Sequence, residues 1–403
     1  MELPLNERTA WGLYQKAKQI TKENQNQSNI QSGDYNYIVF LENYVVRFPK
    51  PGIKTLSSGA FREPYGAQVE FTQRVGDENS FIQIPEVFYY SYSKGESFAI
   101  IEAIPNLSTP VTPRDLRVYV RRAKESIKSA GELARVSMLD DRLEFIKSCT
   151  RIPVDVFVPY LQEDWPIYDT QLSTAKLINH YDRLIKYYFG NEEDFTVQLL
   201  KRYGIDRDLV GKTFSKREVE SLQKRPPVFV HLDLRPYNIA YPNDRSSRQL
   251  YILDFDDIVI GDPLLALAIC FSEFPDEYIF KQLEKMGNDE FLSKFLQGWR
   301  KDIQFYQRLV AIHDLLAAAP FIFMEKNLLH LERVNKVLEL CLGLEPIPIS
   351  KCPWPINYAD RISIYQSRLE FEDLRNSDRP KGSQIIARLD NDRQNDRQSR
   401  SDN

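Results

Sequence analysis

Apolar and polar positions alternate in short β-rich runs over the first hundred residues and then settle into helical spacing, so the chain divides before any motif is considered. Residues 6–28 open with helical spacing, turn polar in TKENQNQSN, and are followed by the turn formers Gln31-Ser32-Gly33-Asp34. Aromatic and branched residues fill 35–41 and 44–48, and the two-residue gap Glu42-Asn43 predicts a tight hairpin that stops at Pro49 and Pro51. Within 60–75, Ala67, Phe71 and Val75 recur every four positions and Pro64 sits near the start, where a helix tolerates proline. Residues 82–92 and 97–104 are strand-like again, split by Ser93-Lys94-Gly95-Glu96 and closed by Pro105. The first hundred residues therefore predict a small sheet with one helix after its hairpin.

From about Thr112 the texture is helical, over 114–139, 174–189 and 216–224, with a proline-bearing interruption at Trp165-Pro166. Further helices are expected at 263–274, 289–302, 304–319, 328–342 and 359–375. Residues 391–398 repeat NDRQNDRQ in a stretch with almost nothing to bury, so everything beyond about Ser377 is expected to be disordered. The predicted organisation is a nucleotide-binding lobe and linker over 1–106, a helical lobe over 107–376 and a tail over 377–403.

Composition narrows the function classes. The 403 residues are 42% hydrophobic, enough for one large or two ordinary cores. Net charge is only -4 and the basic residues form no stripe with interleaved aromatics, which argues against a nucleic-acid partner. The longest apolar run, 263–271, is too short to span a bilayer, and the amino-terminal stretch has no apolar core followed by small residues; no membrane partner is expected, and the protein is read as cytoplasmic. Cys149, Cys270, Cys341 and Cys352 are scattered, without metal-binding pairs, as reduced thiols are.

The most informative stretch is HLDLRPYNIAYPNDRSSRQLYILDFDDIVIGD at 231–262. Asp233 stands five residues before Asn238 on a tight loop, and Asp254 closes an apolar strand. That order supplies a carboxylate to orient a hydroxyl and two oxygen ligands suited to magnesium, which is what phosphoryl transfer needs. With the β-rich segment, short linker and helical segment around it, the chain resembles the aminoglycoside phosphotransferase and choline kinase group over roughly 32–268. The resemblance implies an α+β, bilobal, protein-kinase-like fold: a small antiparallel sheet lobe with one helix, and a larger, mainly helical lobe. It implies ATP and Mg2+, and a small-molecule hydroxyl as acceptor; protein partners are left open.

Carried over by position, the resemblance makes Asp233 the catalytic aspartate and Asn238 and Asp254 the magnesium ligands. It places Arg47 on the phosphates of ATP, with Glu70 as its ion-pair partner and Glu63 as the competitor. Ser32 and Gly33 fall on the turn over the phosphates, and the backbone around Glu102 and Ile104 falls at the adenine edge. His231 reads as a structural residue of the loop, and Asp256 or Asp257 as added charge around the metal. The group writes Gly-Asp-Pro-x-x-Asp-Leu-Ala where this chain has Ala266 in place of the second aspartate, a position that anchors the catalytic loop. Acids at Glu163, Asp164, Glu192, Glu193 and Asp194, and aromatics at Tyr160, Trp165, Tyr168, Tyr187 and Tyr188, are offered as walls for a cationic acceptor. The competing classes are a protein kinase, against which stand the absent Gly-rich loop, Asp-Phe-Gly and Ala-Pro-Glu, and a nucleotide-binding scaffold without turnover, against which stand the intact acids.

Overall fold

Two runs of branched and aromatic residues joined by a short gap pair as expected: β2 (Asn36–Leu41) lies antiparallel to β3 (Tyr44–Pro49), with Ile38 opposite Arg47. The computed structural model describes residues 7–23, 30–32, 36–41, 43–49, 60–78, 81–93, 96–104, 107–108, 127–242, 249–287, 292–324 and 331–348. The expected helix at 359–375, the tail and Gly33 lie outside them.

Three more strands complete an antiparallel sheet in the order β1-β2-β3-β6-β5, with β1 at Ile30–Ser32, β5 at Val87–Ser93 and β6 at Glu96–Glu102. Because successive strand residues face opposite sides, β6 divides its burial. Phe98 and Ile100 pack beneath α1 (Glu7–Glu23), where Tyr14 stacks on Phe98 at 4.3 Å. Ala99 and Ile101 pack with Tyr65, on α2 (Pro64–Glu78). The sheet thus carries two helices, one on each face, where the sequence reading attached only one.

Residues 82–92 do not form one strand. β4 (Ile82–Gln83) breaks off at Pro85 and pairs in parallel with β10 (Leu250–Ile252) in a second sheet ordered β4-β10-β9-β7, with β7 at Leu107–Ser108 and β9 at Ile239–Pro242. A two-stranded ribbon pairs β8 (Val228–His231) with β11 (Ile258–Gly261), and all eight of its residues are buried.

The helical part comprises α3 (Ile127–Val136), α4 (Leu139–Cys149), α5 (Thr170–Tyr188), α6 (Phe195–Lys201), α7 (Leu209–Thr213), α8 (Lys216–Glu220), α9 (Pro263–Phe271), α10 (Asp276–Gly287), α11 (Trp299–Met324) and α12 (Leu331–Leu342). Of the helical run expected over 114–139, residues 114–126 lie outside the described residues, and the described part ends at Val136. Met138 takes a left-handed φ of 52° and a new helix starts after it. Conversely, 304–319 lies inside one helix that begins at Trp299 and runs on to Met324. Helix starts follow local chemistry: Asp169, Asp194, Ser215 and Asp262 each accept backbone N–H bonds at an N-terminus. Every residue of α9 is buried, consistent with an apolar segment that has no polar face.

Aromatic packing joins the sheet-bearing part to the helical part. Phe71 of α2 stacks on Phe229 of β8 at 4.3 Å and meets Phe145, Phe157 and Phe255 within 6.3 Å. Backbone bonds fix the start of α2 on the same side, since Arg62 and Glu63 both donate to the Tyr160 carbonyl. Gly66 is required there, because a Cβ would lie 2.5 Å from the Tyr160 ring.

Candidate active site

Two loops build the site, one between β8 and β9 and one between β10 and β11. Their register comes from the β8–β11 ribbon, which places Ile258 opposite His231. Backbone bonds then stitch them: Leu232 N–H donates to the Asp257 carbonyl at 2.9 Å and Leu253 N–H to the Asn238 carbonyl at 2.8 Å. His231 supplies a side-chain rivet. Its Nε2 faces the Leu253 carbonyl at 3.0 Å, and its Nδ1 accepts from Asp233 N–H at 3.2 Å. A carbonyl only accepts, so the ring is the Nε2–H tautomer. Burial holds its pKa below the ordinary histidine range and keeps that form neutral. Its contacts are those of a positioning residue.

Asp233 and Asn238 are brought together by the short 3-10 turn Pro236–Asn238. Asn238 Nδ2 donates to the Asp233 carboxylate at 2.8 Å and to the Asp233 carbonyl at 2.7 Å, while Tyr237 Oη–H donates to Oδ1 at 3.1 Å. No hydrogen bond from a described residue reaches Asn238 Oδ1, which leaves that oxygen for another partner. Burial raises the Asp233 pKa, Arg235 counters it and the Asp254 charge adds to it, with the result pushed up to about 7. A third of the side chain, 34%, is still open, so the carboxylate is accessible to an acceptor.

Asp254 stands after β10 with φ at 65°, a left-handed conformation uncommon for a side-chain-bearing residue. It faces Arg47 of β3, whose Nη2 donates to Asp254 Oδ1 and Asp256 Oδ2, both at 2.6 Å. Burial acts to raise the Asp254 pKa, but the Arg47 charge prevails and holds it below the ordinary value. Asp256 moves the other way, raised by burial, with Asp254 adding to the shift against Arg47. Arg47 Nε is buried without a hydrogen-bond partner, so the guanidinium retains a donor.

The other expected site residues are distributed unevenly. Glu70 does not pair with Arg47: it bonds Arg74 one helical turn away at 3.0 Å, because both lie on the same face of α2 while two aspartates already hold Arg47. Glu63 is 3.6 Å from Arg62. Ser32 ends β1, opposite Tyr37. The Glu102 N–H is taken by the Glu86 carbonyl at 2.8 Å, so that amide is committed within the protein, whereas Ile104 is half-buried just beyond β6. Four of the proposed acceptor walls have partners of their own. Trp165 is buried and bonds the Ile260 carbonyl, Asp164 pairs with Lys176, Glu192 with Lys201, and Asp194 caps α6.

Sequence reasoning missed the anchor of the catalytic loop. Ala266 is buried in α9, and the loop is held instead through Arg235, which bonds Glu273 at 3.0 Å and Asp314 at 2.5 Å. Arg142 Nη1 reaches the Leu234 carbonyl from beneath at 3.4 Å. Arg235 is visible inside the motif, but Glu273 and Asp314 are distant in sequence and lack a local signal. Asp256 as a partner of Arg47, and Asn36 as the donor that seats Asp256, were missed for the same reason.

The donor set fits a magnesium–nucleotide pair: a cation with an unpartnered buried N–H, an amide oxygen without a partner and a carboxylate 40% open to solvent. With this geometry, the sequence match is informative. The phosphotransferase enzyme family APH matches residues 28–307, well over half of the chain, and the chain belongs to that family. Solved structures similar to it include the GDP complex of aminoglycoside 2'-phosphotransferase-IIIa, at 16% identity, 82% of this chain, 97% of that one and TM-score 0.42. Choline kinase LicA from Streptococcus pneumoniae follows at 15% identity, 82% and 99% coverage and TM-score 0.44. Spectinomycin phosphotransferase APH(9)-Ia with ADP and spectinomycin stands at 11% identity, 82% and 97% coverage and TM-score 0.40. No curated protein matches the chain. Among the described residues no helix is long and apolar enough to cross a membrane.

Proposed function

We propose that this chain is an ATP-dependent phosphotransferase that moves the γ-phosphate to a hydroxyl of a small molecule. The observation that carries the reading is the convergence of Asp233, Asn238, Asp254 and Arg47, from three separate segments, around oxygen and nitrogen atoms that the protein leaves accessible or unpartnered. Asp233 orients the acceptor hydroxyl and takes its proton. A carboxylate that titrates near neutral pH suits that task, because a sizeable fraction is ionised there while the group is basic enough to accept the proton. Asn238 and Asp254 would hold magnesium through Asn238 Oδ1 and the Asp254 carboxylate. Magnesium held there would supply positive charge to offset that of the nucleotide phosphates. Arg47 contributes its remaining N–H donors to phosphate oxygens. Ser32, Gly33 and the backbone around Ile104 are assigned to the nucleotide's phosphate and adenine ends.

The test is Asp233→Asn, assayed by nucleotide binding and by turnover with a panel of hydroxyl acceptors. Binding of MgATP within about twofold, with turnover reduced by about 10²-fold or more, is expected from loss of a positioned base. Turnover equal to the parent's excludes Asp233 from the chemistry.

A further inference from the structure

Resting on the nucleotide-site reading above, we infer that Asp256, seated by Asn36, is the ion-pair partner that positions Arg47 in this chain, in place of an acid on the helix that follows the hairpin. Arg47 Nη2 lies 2.6 Å from Asp256 Oδ2, and Asn36 Nδ2 donates to that same oxygen at 2.6 Å. Asn36 is itself 5% exposed at the start of β2, so the carboxylate is fixed by a buried amide from the sheet that carries Arg47. Tyr65, at the second position of α2, lies beside Asp256 and favours its charged form. The helix acid is occupied by Arg74.

This arrangement bears on the metal aspartate. One nitrogen of Arg47 is shared between Asp254 and Asp256. When Asp254 turns its oxygens to a cation, Asp256 remains as a second seat and keeps the guanidinium beside the phosphates. Without Asp256, Arg47 has only Asp254 to pair with, and that ion pair must break completely before the site can load. Asp256 is therefore a positioning residue that acts through Arg47.

A double-mutant cycle tests this, with MgATP affinity as the readout. Asp256→Asn is expected to weaken MgATP binding about tenfold in the natural background and by less than about twofold in the Arg47→Ala background, because the effect passes through the guanidinium. Glu70→Gln is expected to change affinity by less than about twofold. An equal loss from Asp256→Asn in both backgrounds makes Asp256 a direct ligand and overturns the inference, as does a large effect of Glu70→Gln confined to the natural background. The unfolding midpoint of the nucleotide-free chain supplies a second cycle. Coupling between positions 47 and 256, with none between 47 and 70, is expected even if the chain binds no nucleotide. Absence of ATP binding by the natural chain therefore sinks the phosphotransferase reading, while absence of 47–256 coupling in the nucleotide-free chain sinks this one.

Discussion

In the proposed reaction Asp233 is the base, and its environment predicts how activity would follow pH. With the carboxylate as the working form and its pKa at about 7, kcat/KM is expected to fall as pH drops through that value. Tyr237 donates to Oδ1 and favours the ionised form, so Tyr237→Phe is expected to move the acid limb to higher pH. A pH profile whose limb stays where it was removes Tyr237 from this role. The stability linkage has a definite sign. The folded chain holds a proton that the unfolded chain releases from about pH 4 upward, so this group alone makes folding less favourable as pH rises from about 4 to 7. At this scale the sequence was readable where spacing is local: Asp233, Asn238 and Asp254 come from a loop and the end of a neighbouring strand. The Asn36–Asp256 bond spans 220 positions and has no sequence signature.

Elements succeeded or failed as units according to what their neighbours contributed. The β2–β3 hairpin and the starts of α8 and α9 were legible from short-range spacing, whereas α5 begins at Thr170, four residues before the expected start, and α6 was not expected; their caps, Asp169 and Asp194, give only a short local signal. β4 was not legible, because Ile82 and Gln83 have strand chemistry that suits either sheet, and only Leu250 and Tyr251 determine which one they join. The junction between sheet and helices is most sensitive at Phe71, which is fully buried and stacked on Phe229. Phe71→Ala is expected to cost about 3–5 kcal/mol by chemical denaturation, from lost burial and the cavity left behind. A loss below about 1 kcal/mol means that neighbouring rings close the gap. A second weak point is Arg225, fully buried between Asp262 at 2.9 Å and Asp302 at 2.6 Å. Asp302→Ala leaves that charge short of a partner and is expected to destabilise by about 3–5 kcal/mol in the same measurement.

Across the whole molecule, the site exists only where the sheet-bearing part meets the helical part, since Arg47 belongs to β3 and its two acids follow β10. Ligand binding there ties both parts to the folded state. MgATP at about a hundredfold over its Kd is expected to stabilise the chain by about 2.7 kcal/mol, read as a rise in Tm. The magnesium-dependent share of that rise is expected to vanish in Asp254→Ala, and a variant that keeps it rules out Asp254 as the metal ligand. By itself, the sequence determined that a small sheet precedes a helical part, the phosphotransferase family and the short-range placing of Asp233, Asn238 and Asp254 on one loop and one strand end, because turn chemistry, periodicity and short spacing act between near neighbours. Tertiary structure alone decided that Arg47 pairs with Asp254 and Asp256 while Glu70 turns to Arg74, and that Arg235 is anchored by Glu273 and Asp314. A buried charge takes whichever opposite charge packing brings within bonding distance, and chain-local patterning does not encode that proximity.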